Sequence, residues 1–282
     1  MCGRYTIGGT DPRAFDDRFG GQVDLDALGR YNVAPTQPVP IVSGGPGVGE
    51  RTTRLASWGL LAPWARSRRD RLKPINARAE ELPGKKLFAP LVGDARHRVL
   101  VLADGWYEWL RAEDGRKAEA GGSVPFHHVV DGGAPIAFAG LARSVRVADE
   151  PGPAGFEALE PRMRLPPRPD RPDDGRIGLR TVAIVTCAAN AVAARLHDRM
   201  PAVLAGPEEE AAWLDPAVSA EEALELLRPL PEDRLSVAPA STRVNRVDPD
   251  VDGPSLLVPD APGVDGTPGA GGDARRRPEP GA

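Results

Sequence analysis

The chain has 282 residues, 41% of them hydrophobic, a formal net charge of −4 and two cysteines. That length fits one large domain or two small ones; two cysteines exclude a disulfide framework and point to a reducing, cytoplasmic setting. No apolar run reaches the roughly 18 residues of a membrane span. The charge is unevenly placed. Residues 248–282 hold seven acids and three arginines, so residues 1–247 are neutral in sum, yet Arg51 to Arg98 carries 12 basic residues against 4 acidic ones.

The chain opens "MCGRYT", and Gly3, Arg4, Gly8 and Gly9 interrupt any signal-like apolar stretch. If Met1 is removed, Cys2 carries an α-amine beside its thiol. "DPRAFDDRFG" (11–20) reads as a helix. "PVPIVSG" (38–44) and "TTRLASWGLL" (52–61) read as strands, and the "GGPGVGE" between them as a hairpin turn, since no helix follows to complete a phosphate loop.

"WARSRRDRLKPINAR" interleaves Trp64 with arginines. A charge run is usually a solvated face. An indole beside arginines, however, offers a stacking surface for an unpaired base and phosphate contacts, so a single-stranded nucleic-acid groove is a serious candidate. In "RVLVLADGWYEW" (98–109) strand alternation sets Glu108 on the side of Trp106, opposite Tyr107 and Trp109. A carboxylate there is either exposed or has a raised pKa, and the latter suits a proton donor.

"FHHVV" (126–130), "PIAFAGLA" (135–142) and "TVAIVTCAA" (181–189) continue the strands. His127 and His128 adjoin in one of them and face opposite sides. "NAVAARLHDRM" (190–200) reads as a helix with His197 near its end. "PEEEAAWLD" and "SAEEALELLRPL" supply two more helices, the last with an acidic start after Ser219. The proline- and charge-rich stretch 148–178 reads as a surface insertion, and 248–282, rich in Pro, Gly and Asp, as a disordered tail. The expectation is α+β: a single mixed, mainly antiparallel β-rich domain over residues 2–247 with peripheral helices. No spacing of Cys2, Cys187 and the four histidines matches a metal site, so neither metal nor organic cofactor is expected.

Together "MCGRYT", "RYNVAPTQ" (30–37), "WGLLAPW" (58–64), "INARAE" (75–80), "ADGWYEW" (103–109) and "LHDRMPAVL" (196–204) resemble, in order, the motifs of the SRAP family, the SOS-response-associated peptidases. The resemblance implies a monomeric sensor of abasic sites in single-stranded DNA that bonds to them covalently and takes part in the DNA-damage response. It implies Cys2 as nucleophile, Asn76 as a positioning group and Glu108 as a proton carrier. His197 would assist sugar ring-opening, with lyase or crosslink-reversal chemistry. By the same match Arg4, Arg78 and Arg199 contact DNA phosphates, and Pro35 and Trp64 pack against nucleotides. Ala65 and Val99 depart from the family pattern, where some members carry tryptophan and cysteine.

The chemistry favours a terminal cysteine. An α-amine has an unperturbed pKa of about 7.7–8.0 against roughly 10.4 for lysine, so part of it is neutral near pH 7 and condenses with the open-chain aldehyde of an abasic sugar. The neighbouring thiol then closes a five-membered thiazolidine, aided by proximity. Two other readings remain open: a thiol (auto)peptidase using Cys2 and His197, and a non-covalent single-strand binder.

Overall fold

The computed structural model describes residues 3–20, 23–45, 47–110, 124–167 and 174–260. Among the described residues, twelve strands and five α-helices follow one another in chain order. β1 (Tyr5–Ile7), α1 (Pro12–Phe19), β2 (Arg30–Val33), β3 (Pro38–Gly44), β4 (Arg51–Trp58) and β5 (Asn76–Arg78) form the first third. α2 (Ala89–Val92), β6 (Arg98–Ala103), β7 (Gly105–Trp109), β8 (Pro125–Val130), β9 (Ile136–Ala148) and β10 (Arg176–Ala188) make the middle. α3 (Ala191–Ala194), β11 (Arg199–Pro201), α4 (Pro207–Leu214), α5 (Ala220–Glu225) and β12 (Leu235–Pro239) complete it.

β3, β4, β6, β9 and β10 pair in a closed circuit, because β10 bonds to β4 on one edge and β9 on the other. A second sheet runs β12-β8-β7-β1-β2. Within that circuit the barrel strands have no free edge, and most of their apolar residues fill one continuous core. Except where β4 and β5 run parallel to β10, the pairings are antiparallel. The α+β expectation holds.

The chain passes between the two sheets at two points that matter later. One is the turn Ala34–Gln37 from β2 to β3. Its Thr36 has φ +76°, a left-handed conformation that a β-branched residue rarely adopts. Contacts over-determine it: Thr36 N–H donates to Trp58 O at 2.7 Å, Ser57 Oγ donates to Thr36 O at 3.1 Å, and Gln37 Oε1 accepts from Ala34 N. The other is Asp104–Gly105, between β6 and β7. A Cβ on Gly105 would lie 2.3 Å from His127 Nε2, so only glycine fits. Asp104 accepts from the N–H groups of Gly9 and Thr10.

Two expectations need correction. The helix over 190–200 ends at Ala194, and Arg199–Met200 are strand, paired with Ala188 and Cys187. Pro201 disfavours helix at Met200, and β10 runs past the end of β9, leaving the edge at Thr186 to Ala188 for the segment to join. The described parts of stretch 148–178 pack on the domain: Leu159 and Met163 are buried with Val147 and Leu179, and Arg176 to Gly178 extend β10. The tail boundary also moves. Residues 248–260 are packed, with Leu256 fully buried beside Tyr107 and Val244, Asp252 accepting Tyr31 N–H, and Asp260 accepting from Ser241 and Thr242. Composition missed this because one buried leucine and two capping carboxylates suffice to hold a short segment. Residues 261–282 lie outside the described set.

Candidate functional site

β1 is three residues long, and its neighbours on both sides position it. Tyr5 is level with Trp106 of β7 and with Val33 of β2, and Tyr107 N–H donates to Arg4 O at 3.0 Å. Continuing that antiparallel register by two residues sets Gly3 level with Glu108. Cys2 lies outside the described residues and is one peptide bond further. Glu108 is buried on the Trp106 side of β7, as alternation requires; Tyr107 and Trp109 pack on the other side with Val244 and Leu256. Burial of Arg4 lowers its guanidinium from the usual arginine range, which raises the benefit of an anion there.

A second group forms around the end of β10. Asn76 and Arg78 of β5 lie level with Ile184 and Thr186, while β11 bonds to the opposite edge of β10 and carries Arg199. Arg199 Nη2 reaches across to Thr186 O at 2.6 Å, and Glu80 grips both terminal nitrogens at 2.6 and 2.9 Å. Partial burial opposes ionisation of Glu80, but the Arg199 bonds outweigh it and hold its carboxyl below the usual range. Arg78 is exposed and pairs with Glu81 at 3.1 Å. Two motifs more than a hundred residues apart thus meet.

His197 follows α3 and is buried. Its Nδ1 lies 3.0 Å from the N–H of Arg199 and 2.8 Å from the Asp198 carboxylate. The neutral ring accepts from Arg199 N–H, whereas the imidazolium donates to Asp198. The position therefore serves both protonation states, which suits a group that moves protons.

Trp58 joins the two groups. Its ring meets Tyr5 edge-on at 5.3 Å, its Nε1–H donates to Ile75 O beside Asn76, and its carbonyl accepts Thr36 N–H beside Pro35. The chain then leaves the barrel at Gly59 and returns as β5 on the same edge of β10, the stem closed by Leu60 N–H to Pro74 O. This excursion presents Trp64, 66% exposed, together with exposed Arg66, Arg69 and Arg71. Arg68 differs: it is buried and ion-paired to Glu160 at 2.8 Å, so it is not part of the cationic surface.

Trp58, Glu80 and Thr186 organise the site, yet sequence reasoning gave them no role. The first two stand inside quoted motifs, so their signal was present; Thr186 had none. Cys187, beside Thr186, is buried, and its thiol is pushed up to about 11 by desolvation, which makes it a poor nucleophile. A cavity of about 360 Å³ under Arg30 and Phe156 touches none of the candidate residues. Among the described residues no cluster of His, Cys, Asp or Glu is arranged to hold a metal ion, and no helix is long and apolar enough to cross a membrane.

The family model described as SOS response associated peptidase (SRAP) matches residues 1–247. The chain belongs to the SRAP family. Over 254 residues this SRAP chain is 32% identical to the abasic site processing protein YoaM of Bacillus subtilis, covering 87% of this chain and 93% of that one. It is 30% identical to the abasic site processing protein YedK of Escherichia coli, covering 88% and 95%. Among solved structures, a Bacteroides thetaiotaomicron protein superposes with a TM-score of 0.66 at 20% identity, covering 93% of this chain and 100% of that one, a likeness of fold.

Proposed function

We propose that this SRAP protein processes abasic sites in single-stranded DNA by forming a covalent thiazolidine through Cys2 once Met1 is removed, shielding the lesion. The observation that carries the reading is the register of β1 on β7, which leads the amino end toward buried Glu108, while Trp58 links Tyr5 of β1 to Ile75 beside Asn76. The names of the relatives agree with it.

In this reading Arg4, Arg78 and Arg199 hold phosphates, and Pro35 and Trp64 pack on nucleotides beside the lesion. The neutral α-amine adds to the sugar aldehyde to give a carbinolamine. Glu108 donates the proton with which hydroxide leaves as water, its carboxylate takes the proton from the nitrogen, and an imine results. The thiol sulfur then bonds to the imine carbon while its proton passes to nitrogen, closing the ring with one water lost overall. Asn76 orients the reacting groups. His197 accepts the C1′ hydroxyl proton as the C1′–O4′ bond breaks and hands it to the released ring oxygen, and it assists the proton transfers of crosslink reversal. Neither metal nor organic cofactor enters these steps, and the protein acts as a monomer in the cytoplasm.

A second reading, a thiol peptidase using Cys2 and His197, is favoured by the family description alone. One experiment separates the two. Purified protein is mixed with an abasic single-stranded oligonucleotide and denatured: a slow band persists for wild type and vanishes in Cys2→Ala. Release of all DNA on denaturation would sink the covalent reading, and peptide cleavage dependent on Cys2 would support the second.

A further inference from the structure

Between β9 and β10, residues 148–163 pack against the Trp64 loop through backbone, side-chain and apolar contacts. The Ala148 N–H donates to Arg66 O at 2.9 Å, and Ser67 Oγ donates to Glu150 Oε2 at 2.7 Å. Arg68 reaches inward, its Nη2 2.8 Å from Glu160 Oε1, and its carbonyl accepts Lys73 Nζ at 3.0 Å. Ala65 is buried with Val147, Leu159 and Met163. A Cβ on Gly152 would fall 2.3 Å from Glu160 Oε2 and 2.9 Å from Arg68 Nη1, so the backbone closes directly over the ion pair.

We propose that this stretch clamps the Trp64 loop in the shape that receives an unpaired base, with the Arg68–Glu160 pair as its latch and both residues in a positioning role. The inference rests on the single-strand reading above. Five cations within residues 64–73 repel one another and would spread a free loop; Asp70 is the lone acid among them. Glu160 and Glu150 enter from the neighbouring stretch, draw Arg68 and Ser67 inward, and leave Trp64, Arg66, Arg69 and Arg71 on the outside. A buried ion pair adds little net stability, because desolvation offsets the attraction, but removing one partner strands the other's charge in the interior and so opens the loop. A loop ordered beforehand loses less entropy when a base stacks on it.

The test uses the full chain. Glu160→Gln removes the charge while preserving shape. Trypsin should then cut after Arg69 or Arg71 about tenfold faster than in wild type. The abasic single strand that half-saturates crosslinking should rise about fivefold to tenfold, a partial loss of one stacking contact, with the maximal rate unchanged because Cys2 is untouched. The apolar double variant Arg68→Met with Glu160→Met should return both readouts to within about twofold of wild type. If Glu160→Gln does not fold, Ser67→Ala, which deletes the hydrogen bond to Glu150 and the one from Arg69 N–H, should move both readouts the same way by a smaller factor. Unchanged cutting, or faster cutting with unchanged half-saturation, or a lower maximal rate instead, overturns the clamp. Failure of the wild type to bind single strands would sink the reading of the site, and the proteolysis arm would still judge the latch.

Discussion

Arg199, proposed above to hold a DNA phosphate, is held by Glu80 through both terminal nitrogens, at 2.6 and 2.9 Å. A phosphate approaching Arg199 therefore meets a carboxylate already in place. Glu80→Gln is expected to strengthen binding of undamaged single strands about threefold to tenfold at low salt. Arg199→Ala should weaken it regardless of base sequence and reduce the salt slope by about one counterion. Fluorescence anisotropy over a salt series measures both. Weaker binding by Glu80→Gln would make Glu80 a support for Arg199 rather than a competitor.

Glu108 is buried at the point where the register brings Gly3 alongside β7. Its substitution by Gln keeps the shape and removes the transferable proton. Adduct formation should slow by about 10²–10⁴-fold, the usual contribution of a general acid, while the Kd for undamaged single strands changes less than about twofold. Single-turnover gels and anisotropy decide it; equal losses in both would indicate a binding role.

His127 and His128 are both held down at about 4 by burial, with each other's charge adding to the effect on His127. The folded protein keeps both rings neutral, whereas the unfolded chain protonates them below about 6.5. Stability from this source is complete above pH 6.5 and is lost as pH falls toward 4, by at most about 3 kcal/mol per ring. Asp104 and Glu210, raised by burial, act in the opposite sense, so the comparison must be differential. His128→Phe keeps a ring on Trp106, which stacks on His128 at 4.9 Å, and should flatten the fall in urea midpoint between pH 7 and 5. An unchanged slope would refute the assignment.

Cys187 should resist alkylation in the native protein at pH 8 and react only on unfolding, because its thiol is buried and pushed up to about 11. Cys2 is expected to take the label instead. Peptide mapping by mass spectrometry after a short iodoacetamide pulse gives the ratio, and fast native labelling of Cys187 would contradict the burial.

Truncation after residue 247 removes Leu256 and the Asp252 and Asp260 acceptors, whereas truncation after residue 260 keeps them. The longer product should match the full chain in melting temperature. The shorter should lose about 2–5 kcal/mol, the cost of one emptied leucine site, and Leu256→Ala alone should account for much of that. Equal stability of the two products would show the segment to be ornamental.

Much of this protein was legible in its residues because the signals are local. Alternation in "GWYEW" assigned Glu108 to its face. The glycines of "GGPGVGE" announced a hairpin. Ser219 with Glu222 forms the capping box that its acidic start suggests. The six ordered motifs named the family. The helix expected through Met200 failed for the converse reason: its periodicity was real, but the open edge of β10 offered more hydrogen bonds than a lone helical turn could.

Only the closed barrel decided which motifs meet. Glu80 and Arg199 are separated along the chain by more than a hundred residues and meet because β5, which leads into Glu80, and β11 bond to opposite edges of β10. Likewise, nothing local in Arg68 separates it from Arg66 or Arg69; burial against Glu160 turned one of three similar cations into a fastening. Side-chain chemistry is written residue by residue, whereas proximity and dielectric belong to the folded whole.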